Sequence, residues 1–211
     1  GPDDRAPTKG YFAPIAISRQ AHTKALADFL VQTQVATHCA GLEFTDFYRE
    51  NTVKLTAGTE SIYPDAAFIL RASDGRQHRY FVEIDFGTER LRSTLTDSTW
   101  ERKARVYDGY QDEHRRTRFR VLVISARNSQ VRLTNILATA TGLQRNPLRS
   151  LFLATTLHDF LTTYRPITEA IFRDHHGHRH PLIAAGLFEL PRNPESLLPG
   201  YPSATLAHLP A

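Results

Sequence analysis

The 211-residue sequence contains no methionine, one tryptophan and a single cysteine, Cys39. One cysteine cannot form an internal disulfide or a zinc site of several cysteines, which indicates a protein of a reducing compartment. Cys39 itself is predicted to be a small buried side chain, because free cysteines behave as small hydrophobic residues. The sequence also lacks a signal peptide and any apolar run long enough to span a membrane. These absences predict a cytoplasmic protein that does not associate with a membrane.

The missing methionine and the leading Gly1-Pro2 pair, which resembles a protease-cleavage scar, predict an excised domain. Residues 1–14 are interpreted as tag scar and linker, and residues 15–165 as the core domain. Residues 166–190 are predicted to form an appended hairpin. Residues 191–211 contain five prolines and are predicted to be an extended C-terminal tail.

The chain is mildly basic, with 26 Lys and Arg against 22 Asp and Glu. This balance permits a polyanionic partner without requiring one. Arg115, Arg116, Arg118 and Arg120 cluster immediately before an apolar run, where they would contact DNA phosphates. The alternative is that the cluster is the solvated end of a helix.

The most informative stretch runs from Tyr63 to Tyr107. Residues 64–72 and 78–86 are predicted strands, and a three-residue loop with glycine in its left-handed position lets their apolar faces be buried together. In that register the numbers of opposed residues sum to 148. Asp65 is therefore predicted to lie opposite Glu83.

Three carboxylates come together in this register. Glu83 and Asp85 share one strand face, and Asp65 joins them from the neighbouring strand, with opposed Cβ atoms about 5 Å apart. Carboxylates this close repel one another, so either their pKa values rise or a cation lies between them. Oxygen ligands of this kind suit Mg²⁺ or Mn²⁺. The alternative is a solvated sheet edge with no metal.

A polar helix is predicted from Thr96 to His114. Trp100, Lys103, Tyr107 and Tyr110 recur at helical spacing and share the face that should pack on the sheet. Lys103 would then either reach solvent at the edge of this face or direct its ammonium at the carboxylates. In the second case it would position an attacking water or offset charge that develops on a phosphate.

Hydrophobic patterning predicts further elements around these. They are a helix at 18–38, a short helix or strand near 42–47, a strand at 52–56, a doubly buried strand at 119–125, a helix at 130–143 and a strand at 150–154. The histidine-rich segment 175–180 offers imidazoles for zinc or nickel, but it is interpreted as the polar tip of a hairpin between 170–172 and 181–183.

Three ordered blocks stand out in the sequence. They are Tyr63-Pro64-Asp65-Ala66, then Glu83-Ile84-Asp85-Phe86-Gly87-Thr88-Glu89, then Lys103-Ala104-Arg105-Val106-Tyr107. Together they resemble the replication-relaxation family of plasmids and integrative elements. The resemblance implies an α/β fold with a PD-(D/E)xK restriction-endonuclease-like αβββαβ core, similar to that of MOBC-class relaxases. Such a core has a mixed central sheet flanked by helices. The resemblance also implies a bacterial host, DNA as partner and an upstream winged-helix domain in the full-length protein.

Within the nuclease motif, Asp65 matches the first acid and Glu83 the second. The lysine expected two residues after Glu83 is Asp85 in this sequence, so Lys103 would serve as a lysine that has migrated to the helix. Lys103 and Tyr107 resemble a Gln and Tyr pair that some nucleases of this superfamily carry on the same helix.

Two functions follow from these residues. The first is a Mg²⁺- or Mn²⁺-dependent DNA endonuclease or nickase with Asp65, Glu83, Asp85 and Lys103 as its site. In that reading Tyr107 and the arginines from Arg115 would also contact the nucleic acid. The second is a nuclease-fold DNA-binding or interaction module that has lost catalysis.

A covalent tyrosine mechanism through Tyr63, Tyr80 or Tyr107 is a minor third alternative. The sequence does not decide between a monomer and a homo-oligomer.

Overall fold

The computed structural model describes residues 17–92 and 99–184. The predicted linker and the proline-rich tail lie outside the described residues, as does the predicted start of the polar helix at 96–98. None of the helices in the described part of the chain combines the length and the hydrophobicity that crossing a membrane requires.

The described residues form four helices and nine strands. In chain order they are α1 (Ile17–Cys39), β1 (Glu43–Arg49), β2 (Leu55–Ala57), β3 (Glu60–Ile62), β4 (Ala66–Arg71), β5 (Gln77–Asp85), α2 (Trp100–Glu113), β6 (Phe119–Ser125), α3 (Gln130–Thr141), β7 (Phe152–Thr156), α4 (Leu157–Thr162), β8 (Phe172–Arg173) and β9 (Arg179–His180).

Seven of these strands form one mixed sheet in the order β1-β4-β5-β6-β7-β8-β9. The pairs β5/β6 and β6/β7 are parallel, and the other pairs are antiparallel. Helices α1 and α4 cover one face of the sheet, and α2 and α3 cover the other. The chain is therefore a mixed α/β protein whose central sheet is flanked by helices, as predicted. The short strands β2 and β3 form a separate hairpin.

The predicted register of the first strand pair is confirmed. Ala66 lies opposite Val82, and Phe68 lies opposite Tyr80, so the residue numbers sum to 148. The loop has the predicted length, because the Ala72 N–H donates to the Arg76 carbonyl oxygen over 2.9 Å. Gly75 has a φ of +84°, the left-handed conformation that glycine adopts without steric cost. This loop therefore sets which side chains of β5 face which helix layer.

The strand predicted to be buried on both faces is β6. Its residues from Val121 to Ile124 have no exposed surface, and it lies between two parallel neighbours. A continuous apolar run is what a strand covered by helices on both faces requires. The α1 and α3 helices and strand β7 also lie within two residues of their predicted bounds.

Other details differ from the prediction. Cys39 is exposed, because it ends α1 on the side that faces away from the sheet. The β2–β3 hairpin was expected only as one strand, and α4 was not predicted. The last hairpin pairs Phe172 with His180, so Pro181 follows β9 instead of lying within it. Its tip is ordered by Asp174, which accepts backbone hydrogen bonds from the two residues His176 and His178.

The β2–β3 hairpin packs against the middle of α2 at a glycine. A Cβ atom built on Gly109 would lie 2.8 Å from the Cβ of Ala57. Leu55 and Ile62 of the hairpin are buried beside Trp100 of the helix. This close approach requires a glycine in the middle of a helix, where alanine would otherwise be preferred.

We predict that Gly109→Ala destabilises the protein by about 1–3 kcal/mol, because the new methyl group forces the hairpin away from α2. Urea denaturation measures the change. Gly142→Ala is the matched control, since Gly142 has a helical φ of −64° and its nearest such contact would be an ordinary 3.6 Å. The control should be neutral or stabilising, and Ala57→Gly should restore much of the loss in the Gly109→Ala background. A Gly109→Ala protein as stable as the parent would contradict this packing.

Candidate carboxylate and lysine site

The predicted site residues from the first two blocks lie at one edge of the central sheet. Glu83 pairs with Val123 and Asp85 with Ser125, both near the end of β6, and Asp65 immediately precedes β4. The C-terminal ends of the parallel strands β5 and β6 therefore meet the start of an antiparallel strand. Edges of this kind are frequent ligand-binding places in α/β proteins.

Glu83 is almost completely buried, with 1% of its surface exposed. The Tyr107 hydroxyl donates to Glu83 Oε1 over 2.6 Å, and Lys103 Nζ donates to Oε2 over 2.8 Å. Burial raises the pKa of Glu83 to about 7, although the charge of Lys103 opposes the shift, and the negative charge of Asp65 raises it further. The carboxylate is thus held in an environment that disfavours its ionised form.

Lys103 lies between two carboxylates. Its Nζ is 2.8 Å from Glu83 Oε2 and 2.8 Å from Glu89 Oε2, and it lies 5.0 Å from the centre of the Trp100 ring. Burial alone would lower the pKa of Lys103, but the charges of Glu83 and Glu89 outweigh that effect and raise it. The ammonium therefore faces the site and not open solvent, and it carries its positive charge at neutral pH.

Asp65 closes the end of the β4–β5 pair. Its N–H donates to the Val82 carbonyl oxygen over 3.0 Å, and its Oδ2 accepts from the Ile84 N–H over 2.7 Å. His22 on α1 brings its Nε2 to 3.2 Å from the same oxygen. The hydrogen bond with Asp65 raises the pKa of His22, against the effect of burial. Continuing the register places Asp65 opposite Glu83, and the influence of Asp65 on the Glu83 pKa agrees with that placement.

Asp85 has a separate set of partners. Arg132 on α3 donates to both of its oxygens, over 3.2 Å from Nε and 3.0 Å from Nη2. Trp100 Nε1 and the Gly87 N–H each donate to it over 3.2 Å. The charge of Asp85 is thus neutralised by a fork-shaped guanidinium contact, which is a strong and directional arrangement.

The remaining predicted residues lie apart from this edge or within the core. Tyr107 is fully buried, and the Tyr80 hydroxyl donates to the Leu182 carbonyl oxygen in the core on the other side of the sheet. Tyr63 is 47% exposed, the highest value among the three tyrosines considered for a covalent mechanism. The predicted contact arginines Arg115, Arg116 and Arg118 are exposed beyond the end of α2.

Within residues 17–92 and 99–184, no three His, Cys, Asp or Glu side chains lie in an arrangement that would enclose a metal ion. The side chains of the histidine-rich hairpin tip contact groups of the protein itself. His180 Nε2 lies 2.8 Å from Asp174 Oδ2, and His175 Nε2 lies 2.8 Å from the Pro147 carbonyl oxygen. The tip is thus organised by hydrogen bonds, in agreement with the preferred interpretation of this segment.

Sequence reasoning missed three residues that the structure brings to the edge. Glu89 lies inside the second resembling block, so its membership in that block was a usable signal. Arg132 and His22 lie on helices far away in the chain, and their identity alone gives no indication of the carboxylates that they contact.

The fold and this edge together define a class, a mixed α/β protein with a buried lysine and carboxylate cluster at the ends of parallel strands. A family model described as replication-relaxation matches residues 7–122, more than half of the chain. The chain therefore belongs to the replication-relaxation family, which suggests a role in replication or mobile-element processes. Searches of curated proteins and of solved structures found no match.

We predict that Glu83→Gln changes how stability depends on pH. With a pKa raised from 4.5 to about 7, the folded protein holds a proton on Glu83 that the unfolded chain has already lost. As the pH rises from 4.5 to above 7, the free energy of unfolding of the parent should therefore fall by about 3 kcal/mol relative to that of Glu83→Gln. Urea denaturation of both proteins in a chelating buffer at several pH values measures this difference.

The control for this experiment is Glu43→Gln, which changes an exposed carboxylate on the edge strand β1. Its stability should follow that of the parent across the same pH range. Parallel curves for the parent and Glu83→Gln would contradict the raised pKa.

Proposed function

We propose that this protein is a metal-dependent DNA endonuclease or nickase that acts in replication or transfer of plasmids or mobile elements. The observation that carries the proposal is the Lys103 ammonium, held 2.8 Å from the buried Glu83 carboxylate at the sheet edge where Asp65 also lies. Lys103 thus supplies beside Glu83 the positive charge that the PD-(D/E)xK motif would otherwise supply from position 85.

The order of elements supports a PD-(D/E)xK core. The sheet-forming chain runs through α1, β1, β4, β5, α2 and β6, with the β2–β3 hairpin inserted, which matches the expected order αβββαβ. The first acid precedes the second strand of that series, and the second acid lies near the end of the third.

The donor set suits Mg²⁺ or Mn²⁺ held by Asp65 and Glu83. Mg²⁺ in phosphoryl-transfer sites is often bound by one or two carboxylates, with water and substrate phosphate completing the coordination. A carboxylate whose pKa is raised by burial would be stabilised in its ionised form by a nearby cation. Asp85 would join these ligands only by releasing Arg132.

A bound ion would supply Lewis acidity and an activated water for phosphodiester hydrolysis. Lys103 would exchange one carboxylate contact for a phosphate oxygen and offset the charge that develops there. Glu89 would keep the ammonium in place during that exchange, since it holds Lys103 from the other side. Tyr107 fixes Glu83 Oε1 and so orients the carboxylate. The winged-helix domain implied upstream would supply sequence recognition.

A specific observation favours a second candidate, a non-catalytic DNA-binding or interaction module in a replication complex. Lys103 already neutralises Glu83 and Glu89, and Arg132 neutralises Asp85. The charged groups at this edge are thus paired without a metal ion. An edge that binds no metal would be a structural remnant of a nuclease site.

Titration calorimetry with Mn²⁺ and with Mg²⁺ separates the two candidates. We predict that the parent binds Mn²⁺, and that Asp65→Asn and Glu83→Gln each weaken binding by about tenfold or more, because each removes an anionic oxygen ligand. Asp28→Asn and Glu43→Gln change carboxylates that pair with Lys24 and Arg71 at the surface, so they should bind like the parent. A parent that binds neither ion would refute the nuclease and support the second candidate.

The same proteins are then compared on supercoiled plasmid carrying a transfer origin or replication origin of a related element. We predict Mn²⁺-dependent nicking by the parent and by the two control variants. Asp65→Asn, Glu83→Gln and Lys103→Gln should nick at least about 100-fold more slowly, because each loses charge stabilisation worth several kcal/mol at the reacting phosphate. If Lys103→Gln nicks at the parental rate, Lys103 has no role in the proposed mechanism.

A further inference from the structure

A second charged surface lies at the opposite edge of the sheet, around the start of β6. Two pockets flank this strand end and share Arg118, Phe119 and Arg120 in their walls. We call the two together the arginine groove. The arginines that line it are Arg79, Arg115, Arg118, Arg120, Arg145 and Arg149. Among its described lining residues, Asp112 is the only carboxylate.

Residues at the floor of the groove form hydrogen bonds and ion pairs with α2. Arg149 donates to Asp112 over 2.9 Å and also to Asp108, whose side chain is 3% exposed. The Arg145 N–H donates to the other Asp108 oxygen over 3.0 Å. The segment between α3 and β7 is thereby fixed against the helix, so the groove keeps its form without a ligand.

The rim of the groove carries an excess of positive charge. Arg115, Arg118 and Arg145 are exposed. Arg115 donates to the main-chain oxygen of Asp112, and the Arg145 guanidinium lies 3.5 Å from the Asp112 carboxylate. Arg149 is paired with Asp108 and Asp112, but the other five arginines exceed the carboxylates that remain for them. This excess generates a positive potential that attracts a polyanion. Guanidinium groups also match the paired oxygens of a phosphate better than ammonium groups do.

The groove is well separated from the carboxylates. Strand β6 has six residue steps from Phe119 to Ser125, about 20 Å, and Ser125 pairs with Asp85 at the other end. A small phosphate bound in the groove would therefore not touch Glu83. The charges of one DNA strand lie about 3.4 Å apart along the helix axis. A bound strand of several nucleotides would therefore extend from the groove to the carboxylates.

We propose that the arginine groove binds the sugar–phosphate backbone of DNA, outside the segment that occupies the carboxylate site. The two adjoining pockets favour an extended polyanion, and membership in a replication family favours nucleic acid over an acidic protein. The groove would hold DNA without reading its sequence, as backbone contacts do. The inference rests on the proposed function in taking DNA as the ligand, but it does not require catalysis.

The test is DNA binding by the triple variant Arg115→Gln/Arg118→Gln/Arg145→Gln, measured by fluorescence anisotropy with a labelled single-stranded oligonucleotide in EDTA. We predict that the triple variant binds about tenfold more weakly or worse, because three phosphate contacts are lost. The slope of log affinity against log salt should also fall by about 2, at about 0.7 per lost contact. All three side chains are exposed, so the variant should fold like the parent.

The matched control is Lys24→Gln/Lys54→Gln/Arg165→Gln, which removes the same charge from exposed positions outside the groove. It should bind within about twofold of the parent at the same salt, since it loses no direct contact. If the DNA affinity of both triple variants falls equally, or that of neither falls, the proposal that the groove binds DNA is refuted. A parent that does not bind DNA would also refute it.

These outcomes are independent of catalysis. If calorimetry shows no metal binding while the arginine variant still loses DNA affinity, the proposed nuclease activity is refuted and DNA binding by the groove is supported. If metal binding and nicking are present but both triple variants bind DNA equally, DNA binding by the groove is refuted and the proposed nuclease activity is supported.

Discussion

The buried carboxylate of Glu83 is the constraint around which the rest of the structure is arranged. An isolated charge in such a place would cost several kcal/mol, so the chain must bring compensating groups to it. Lys103 and Tyr107, one helical turn apart on α2, donate to its two oxygens, and Glu89 balances the lysine from the other side. The position of α2 on the sheet is therefore set by charge compensation as well as by apolar burial.

The packing of α2 fixes the positions of the α2 side chains that contact the carboxylates. Tyr107 places its hydroxyl on Glu83 while its ring contacts Phe81 and Phe152, at centroid distances of 5.9 and 5.8 Å. About two and a half turns of the helix separate Trp100, which donates to Asp85, from the glycine that receives the β2–β3 hairpin. A shift of the hairpin would move the whole helix and with it the ammonium. We infer that the hairpin, which contributes no side chain to the carboxylates, positions them through the helix.

What the sequence predicted well was local. The register of β4 and β5 follows from side-chain alternation and from the length of a loop with Gly75 in its left-handed position, and both are short-range properties. The face of α2 that carries Lys103 follows from helical spacing. The partners of Asp85 and Asp65 were not predictable in this way, because Arg132 and His22 meet them only after crossovers whose geometry depends on tertiary packing. Cys39 was wrongly expected to be buried because residue type outweighed its place at the end of a helix.

The two edges of the sheet carry opposite kinds of charge, and this separation has a physical consequence. At the edge of Glu83 and Asp85, four carboxylates outnumber the two permanent cations that contact them, Lys103 and Arg132, so this cluster does not attract a polyanion. At the edge of Arg118, arginines outnumber acids and remain exposed. A polyanion approaching the protein would therefore be captured first at the arginine edge, where the field is unbalanced. Only after that capture would a phosphate compete with Glu83 for Lys103, at an effective concentration raised by the tether. If the protein has the proposed function, binding of a phosphate beside Lys103 would thus depend on the positive field at the other end of the same strand.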